Sequence, residues 1–174
     1  MNIQKVIAIT GAGRGLGRAL ALGLAAEGAR IALLERDGAD LDAVAREIEQ
    51  SVPSAEEPLA LKCNVTDEAA VAEAVGAIDG RWGRIDALVS NAGLMLPAEK
   101  LRLLHADIRD VRRLTDTPGM RGTVEDGYAE RVASAYPGGR VDRPEDIVPF
   151  VRFLCADESM HLSGTLLPIR PVTG

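Results

Sequence analysis

The sequence predicts an α/β fold, in which helices cover both faces of a doubly wound parallel sheet. Short apolar runs alternate with helical patterns over the first 93 residues, and strands that alternate with helices pair in parallel through right-handed crossovers. The chain has 174 residues, a length typical of one domain. We therefore expect a single domain.

Four short, largely apolar runs have the composition of buried parallel strands. They cover residues 6–9, 31–34, 59–61 and 85–89. A loop over residues 51–58, which contains two prolines, precedes the third of these predicted strands.

Three amphipathic helices are predicted to connect these strands. The first begins near Leu16, and Gly28 marks its end, since glycine commonly follows the last residue of a helix. Either Thr66 or Asp67 caps the third helix. Apolar residues recur three or four positions apart in each helix, as a buried stripe requires: Leu16, Ala19, Leu20 and Leu24; Leu41, Val44 and Ile48; Val71, Val75 and Ile78.

A glycine-rich loop, TGAGRGLG over residues 10–17, joins the first strand to the first helix. Its spacing is G-x-x-x-G-x-G, formed by Gly11, Gly15 and Gly17, because Leu16 stands where the common G-x-G-x-x-G pattern needs its third glycine. Glycine lets the backbone turn sharply and approach a pyrophosphate, which backbone N–H groups at the helix N-terminus then hold. The loop therefore indicates a dinucleotide site, with a simple tight turn as the alternative.

An acidic residue at the end of the second strand gives a second indication of nucleotide binding. Glu35 follows Gly11 by 24 residues, close to the spacing of an acid that binds a ribose 2′-hydroxyl. Glu35 favours NAD, whereas Arg14 and Arg36 leave NADP open because either arginine suits a 2′-phosphate. The alternative interpretation is a set of surface charges at a strand end.

Three ordered motifs resemble signatures of the short-chain dehydrogenase/reductase family, whose members have a Rossmann fold and use NAD(H) or NADP(H). They are TGAGRGLG, CNVTD at residues 63–67 and NAG at residues 91–93. The resemblance implies that Asn64, where the family usually has aspartate, contacts adenine. It implies that Asn91 supports the fourth strand and the cofactor ribose.

The C-terminal part resembles the same family. PGMRGT, residues 118–123, is similar to the family's loop beside the nicotinamide, and residues 163–169 are similar to its last strand. Pro144 suits the first turn of a last helix, whose apolar residues Ile147, Phe150, Val151 and Leu154 share one face. Pro149 within that helix should weaken one backbone hydrogen bond.

The cofactor site implied by the resemblance combines residues from both parts of the chain. Its residues are Gly11, Arg14, Gly15, Leu16, Gly17, Glu35, Arg36, Asn64, Val65, Asn91, Ala92, Gly93, Pro118, Gly119 and Thr123.

The segment that carries the family's catalytic serine and Tyr-x-x-x-Lys pair has no counterpart here. Tyr128 is followed four residues later by Val132, and Tyr136 by Arg140. Neither of these tyrosines therefore has a lysine at the required spacing. We expect the usual catalytic residues to be absent, with Tyr128, Tyr136 and His105 as weak replacement candidates.

A shortened connection, residues 94–117, stands in place of that catalytic segment. Leu101, Leu104, Ile108 and Val111 form one stripe, which predicts an amphipathic helix. We expect this domain to have a nucleotide-binding half (residues 1–93), the connecting helix, and a C-terminal part (residues 118–174) of loop, helices and last strand. The sheet is predicted to hold five strands instead of the family's seven.

Three functions compete on this sequence. The first is a catalytically silent NAD(P)-binding protein that pairs, through its last helix and strand, with a second copy or with a full-length family member. The second is an active NAD(P)-dependent oxidoreductase whose proton donor is relocated or comes from a partner chain. The third is a non-functional remnant of a deleted dehydrogenase.

The composition of the chain argues against several other classes of function. The net charge of −6 gives no electrostatic basis for binding nucleic acid or an anionic membrane. Cys63 and Cys155 lack metal-ligand spacing and are predicted to be reduced core thiols. We expect no metal, no signal peptide and a cytoplasmic location.

Overall fold

The computed structural model describes residues 5–93, 115–121, 127–134 and 139–162, together with Gly164 and Leu167. These residues contain a four-stranded parallel sheet of order β3-β2-β1-β4. Its strands are β1 (Val6–Thr10), β2 (Arg30–Glu35), β3 (Leu59–Lys62) and β4 (Ala87–Val89). The predicted parallel α/β architecture is confirmed.

Helices lie on both faces of this sheet. The first half of the chain contributes α1 (Gly15–Ala26), α2 (Gly38–Ser51) and α3 (Glu68–Trp82). The C-terminal part contributes the short helices α4 (Pro118–Arg121) and α5 (Tyr128–Ser134), the longer α6 (Pro144–Cys155), and a 3₁₀ turn, Asp157–Ser159.

Alternating side chains of β1 and β2 give the sheet two apolar faces. Ile7 and Ile9 pack with α1, α2 and α6, whereas Val6 and Ala8 pack with α3. Fully burying one such aliphatic side chain stabilises the fold by about 1.5–3 kcal/mol. Cys63 and Cys155 are buried free thiols, one on each face, and burial raises the pKa of both thiols. Both cysteines are therefore reduced core residues, as predicted.

Side-chain caps explain where α2 and α3 begin. Asp37 accepts a hydrogen bond from the Ala39 amide at 3.0 Å, and Asp67 accepts one from the Ala69 amide at 3.0 Å. Of the two predicted caps of α3, the structure therefore selects Asp67. Helix α1 ends at Ala26, two residues before Gly28, whose φ of 90° confirms the predicted stop signal.

Helix α6 packs closely against α1. A Cβ atom placed on Gly23 of α1 would lie only 2.4 Å from Cγ1 of Val148. The two helices can therefore pack this closely because residue 23 has no side chain. The Arg152 guanidinium also donates to the Glu27 carboxylate at 3.0 Å. This contact brings the C-terminal part onto the nucleotide-binding half.

Val75, predicted in the buried stripe of α3, is 46% exposed, and three further local predictions were wrong in detail. The fourth strand, predicted over 85–89, spans Ala87–Val89. Just before it, the Asp86 amide donates to the Val6 carbonyl at 2.8 Å and the Asp86 carboxylate accepts from the Val6 amide at 2.8 Å. On α6, Leu154 is 41% exposed, and the face toward the core carries Ile147, Val151 and Cys155.

The third concerns the predicted loop over 118–123, which begins as helix α4. Thr117 accounts for this helical turn, because its hydroxyl accepts from the Met120 amide at 3.2 Å and its carbonyl from the Arg121 amide at 3.0 Å. Proline at the first helical position favours the same start.

Several predictions lie outside the described residues. They are the helix with Leu101, Leu104, Ile108 and Val111, and most of the last strand over 163–169 with the five-strand total that depends on it. After the gap that follows residue 93, the described residues resume at Thr115, which forms an isolated parallel β-bridge with Asp142. No helix among the described residues has the length and apolarity needed to cross a membrane.

Candidate functional site: the carboxyl edge of the sheet

The carboxyl ends of the parallel strands and the N-terminus of α1 meet at one edge of the sheet. Strand order reverses there, because β2 lies on one side of β1 and β4 on the other. In open α/β sheets such a reversal creates a crevice that binds ligands. The predicted cofactor residues of the first half, from Gly11 to Gly93, all follow strands at this edge.

The glycine loop has the compact shape that its spacing predicted. Gly11 adopts φ +65°, a left-handed conformation that favours glycine. A Cβ atom on Gly17 would lie 2.1 Å from the Gly11 carbonyl oxygen, so only glycine lets α1 approach the loop this closely. Gly15 starts α1, and Arg14 precedes it in an extended conformation without a side-chain cap. The first N–H groups of α1 therefore have the arrangement that suits a bound anion.

Thr10 and Asn91 connect this loop to the end of β4. The Thr10 hydroxyl accepts from the backbone amides of Asn91 and Ala92, both at 3.0 Å, and donates to the Val89 carbonyl at 3.4 Å. The Asn91 side-chain amide donates to the Thr10 and Gly11 carbonyls at 3.0 and 3.1 Å. Asn91, which follows β4, thus connects the end of that strand to the end of β1 and holds the glycine loop.

Glu35 forms part of the wall of a cavity of about 280 Å³ at the end of β2. Its carboxylate accepts from the Gly13 amide at 3.3 Å through Oε2 and from the Arg36 amide at 2.7 Å through Oε1. The wall is evenly charged, with three acidic and three basic side chains: Arg14, Glu35, Arg36, Asp37, Asp40 and Lys62, together with Gly38.

Asn64 and Val65 continue this edge beyond β3. The Asn64 side-chain oxygen accepts from the Thr66 amide at 3.2 Å and from the Thr66 hydroxyl at 2.9 Å, which fixes its amide group in a turn. Val65 is 46% exposed. The Cys63 amide donates to the Glu35 carbonyl at 2.9 Å, so these residues lie next to the Glu35 cavity.

The segment before α4 crosses the glycine loop. A Cβ atom on Gly15 would lie 3.4 Å from Cβ of Thr117, so Pro118 and Gly119 follow directly from a contact with the start of α1. Hydrogen bonds from Arg121 lower the pKa of the Asp116 carboxyl, and this ion pair, at 2.5 Å, closes the turn. Thr123 lies outside the described residues.

Of the three weak catalytic candidates, Tyr128 is the one that the described part of the chain includes. Tyr128 is half-buried at the start of α5, with the Arg131 guanidinium 5.8 Å from its ring centre. His105 and Tyr136 lie outside the described residues. Lys5 pairs with Asp157 at 2.5 Å, and Lys62 lines the Glu35 cavity.

Seven residues of this edge were not predicted from the sequence: Thr10, Gly13, Asp37, Gly38, Asp40, Lys62 and Thr117. Thr10 directly precedes the glycine motif, and Thr117 precedes a proline in the order typical of a helix start. Both signals were present in the sequence. Gly13 and Lys62 depend on contacts with other strands, which no local pattern reveals.

A model of the family described as short chain dehydrogenase matches residues 5–123. Levodione reductase from Leifsonia aquatica is 43% identical over 91 residues, which cover 52% of this chain and 34% of the relative. The 3-oxoacyl-(acyl-carrier-protein) reductase FabG of Thermotoga maritima is 38% identical over 103 residues, covering 59% and 41%. The chain thus spans only a third to two fifths of the length of these relatives.

A solved structure agrees in fold over nearly the whole chain. The crystal structure of 3-ketoacyl-(acyl-carrier-protein) reductase from Brucella melitensis complexed with NADH has a TM-score of 0.77 at 22% identity. The match covers 97% of this chain and 98% of the other. With the family model covering well over half of the sequence, this chain belongs to the short-chain dehydrogenase family.

Proposed function

We propose that this chain binds NAD(H) at the carboxyl edge of its sheet and acts as a non-catalytic subunit. The observation that carries the proposal is the Glu35 carboxylate, held by two backbone amides at the wall of the cavity beside the glycine loop. A carboxylate in this position accepts hydrogen bonds from ribose hydroxyls. The glycine loop and the start of α1 would hold the pyrophosphate, since glycine at positions 11 and 17 lets the loop pack tightly against Asn91, Ala92 and the helix N-terminus.

The same carboxylate supports NAD over NADP. A 2′-phosphate would stand beside a fixed negative charge, which repels it at short range. Arg14, Arg36 and Lys62 offset this repulsion in part, because they line the same cavity. We therefore expect NADH to bind more tightly than NADPH, with a difference smaller than Glu35 alone would give.

The sequence supports the non-catalytic part of the proposal. Neither Tyr128 nor Tyr136 has a lysine four residues later, and no serine stands between Ser90 and Ser134. A positioned acid–base group contributes about 10²–10⁴ to a reaction rate. Loss of the usual proton donor would leave the nucleotide site intact while removing most of the turnover, because binding and chemistry reside in different groups.

Exposed apolar side chains near the end of α6 support a partner contact. Phe153 and Leu154 are 43% and 41% exposed, and Met160 just beyond them is 72% exposed. We propose that a second copy, or a full-length member of the family, covers this surface. Leu154→Asp should then lower the oligomer mass measured by light scattering.

Calorimetric titration of the purified chain with NADH, then NADPH, tests the cofactor proposal. Gly15→Val should abolish binding, since valine disfavours the φ of +54° at Gly15. Gly80→Val is the matched control, because a Cβ atom on Gly80, in α3, meets nothing within 4 Å. Absence of binding by the folded wild-type chain would instead favour a non-functional remnant.

Nucleotide-dependent turnover tests the silent-subunit proposal. Absorbance at the NADH band, followed with a panel of ketones and alcohols, should show no turnover above background. Turnover that disappears in Tyr128→Phe would replace the proposal with an active oxidoreductase whose proton donor has moved. Equivalent changes at Tyr136 and His105 complete this test.

A further inference from the structure

Gly13 is the one glycine of the loop that the G-x-x-x-G-x-G spacing leaves unexplained. Its φ is not positive, so its backbone conformation is open to other residues. Space is what restricts it: an added Cβ atom would lie 2.8 Å from Cβ of Asp40 and 2.9 Å from Cγ of Glu35. Any side chain here would therefore meet the acid of the proposed ribose site.

We propose that Gly13 is a positioning residue that sets the preference for a ribose without a 2′-phosphate, by holding Glu35 in place. The inference rests on the proposed NAD(H) binding and deepens it. The Gly13 amide donates to Oε2 of Glu35 at 3.3 Å, while the Arg36 amide donates to Oε1 at 2.7 Å. Glycine at position 13 supplies one of these donors and leaves room for the carboxylate beside it.

A methyl group at position 13 would displace the Glu35 side chain more readily than Cβ of Asp40, which moves only with the backbone, so a small shift of the loop or of the first turn of α2 must accompany it. Asp40 lies in the first turn of α2, and Leu41 and Val44 anchor that helix with 3% and 1% exposure. The backbone of Glu35 is fixed as well, because its carbonyl accepts from the Cys63 amide at 2.9 Å. The Glu35 side chain therefore rotates away from the Gly13 amide.

Displacement of Glu35 changes the charge that a 2′-substituent meets. The carboxylate leaves, but Arg14, Arg36 and Lys62 stay in the cavity wall. NADH then loses a charge-assisted hydrogen bond to its ribose. NADPH loses one repulsion, and the wall changes from three acids and three cations to two acids, Asp37 and Asp40, and three cations. Gly13 would thus act on the difference between the two nucleotides, which a purely structural glycine would not.

Gly13→Ala, titrated with NADH and with NADPH, tests this role. The Kd for NADH should rise about tenfold, the usual effect of losing one hydrogen bond to a charged group. The Kd for NADPH should stay constant or fall, so the preference for NADH falls at least tenfold. Gly76→Ala is the control, because Gly76, in α3, does not line this cavity and its added Cβ meets nothing within 4 Å.

A Glu35→Ala background shows whether Gly13 acts through Glu35. Gly13→Ala/Glu35→Ala should have the same NADH-to-NADPH ratio as Glu35→Ala alone. Should Gly13→Ala fail to fold, Gly13→Ala/Asp40→Gly removes the tightest clash, keeps the contact with Glu35, and carries the same expectation.

Different results would overturn the role of Gly13 and the proposed binding of NAD(H). Equal weakening of both nucleotides by Gly13→Ala, or a further change of ratio in the Glu35→Ala background, overturns the role of Gly13 while NAD(H) binding stands. A folded wild-type chain that binds neither nucleotide overturns both.

Discussion

Replacing Thr10 with valine should destabilise the junction between the glycine loop and β4. Valine keeps the shape of threonine but removes the oxygen that accepts from the Asn91 and Ala92 amides, both at 3.0 Å. Thr10 is 8% exposed and Asn91 is half-buried, whereas Ala92 is exposed. An unpaired buried donor costs about 1–3 kcal/mol, so the Asn91 amide should dominate and the free energy of unfolding should fall by about 1–3 kcal/mol.

Urea denaturation followed by circular dichroism measures this loss. The midpoint should fall with an unchanged m value, since the surface exposed on unfolding stays the same. Thr10→Ser, which retains the hydroxyl, should recover most of the stability. Thr66→Val is the control, because the exposed Thr66 hydroxyl also makes a side-chain hydrogen bond, and its loss should cost no more than about 0.5 kcal/mol. A Thr10→Val loss below about 0.5 kcal/mol would refute the reasoning.

Two further perturbations address packing and charge. Gly23→Ala should destabilise the chain by about 1–3 kcal/mol, because the new Cβ atom meets Val148 at 2.4 Å. In thermal melting, Val148→Ala should partly restore the stability of Gly23→Ala. Gly76→Ala is the control and should raise the melting temperature, because Gly76 lies at an open helical position. Hydrogen bonds from Arg140 and from the Arg143 amide hold the pKa of Asp146 at about 2, below its ordinary value of 3.8. A carboxyl whose pKa is lowered by folding contributes stability above the ordinary pKa, and that stability is lost as pH falls toward 2. Melting temperatures between pH 4 and pH 2 should therefore fall less steeply for Asp146→Asn than for the wild type, and parallel curves would contradict this assignment.

Local patterns were sufficient to predict the nucleotide-binding half. The glycine loop, the stop at Gly28 and a cap at Thr66 or Asp67 each depend on residues close in sequence, so local patterns predict them, and the structure selects Asp67 as the cap. The buried stripes of α1 and α2 follow from helical periodicity alone. The predicted position of Glu35 at the end of β2 followed from the same reasoning.

Contacts between distant elements were harder to predict. Periodicity placed Leu154 on the buried face of α6, but the close approach at Gly23 turns the helix so that Val148 and Val151 face α1. The Asp86 carboxylate binds the amide of Val6, a residue 80 positions away, which no local pattern indicates. The hydrogen bond from Gly13 to Glu35 joins two different strand ends, so neither motif alone indicated it.

The packing of α6 on α1 has a consequence for synthesis of the chain. One face of the sheet stays partly uncovered until residues 144–155 emerge, because Val148, Val151 and Cys155 complete the apolar cluster around α1. At translation rates of about 5–20 residues per second, the 62 residues from 94 to 155 take roughly 3–12 seconds to make. During this interval the nascent nucleotide-binding half presents apolar surface of the kind that chaperones recognise.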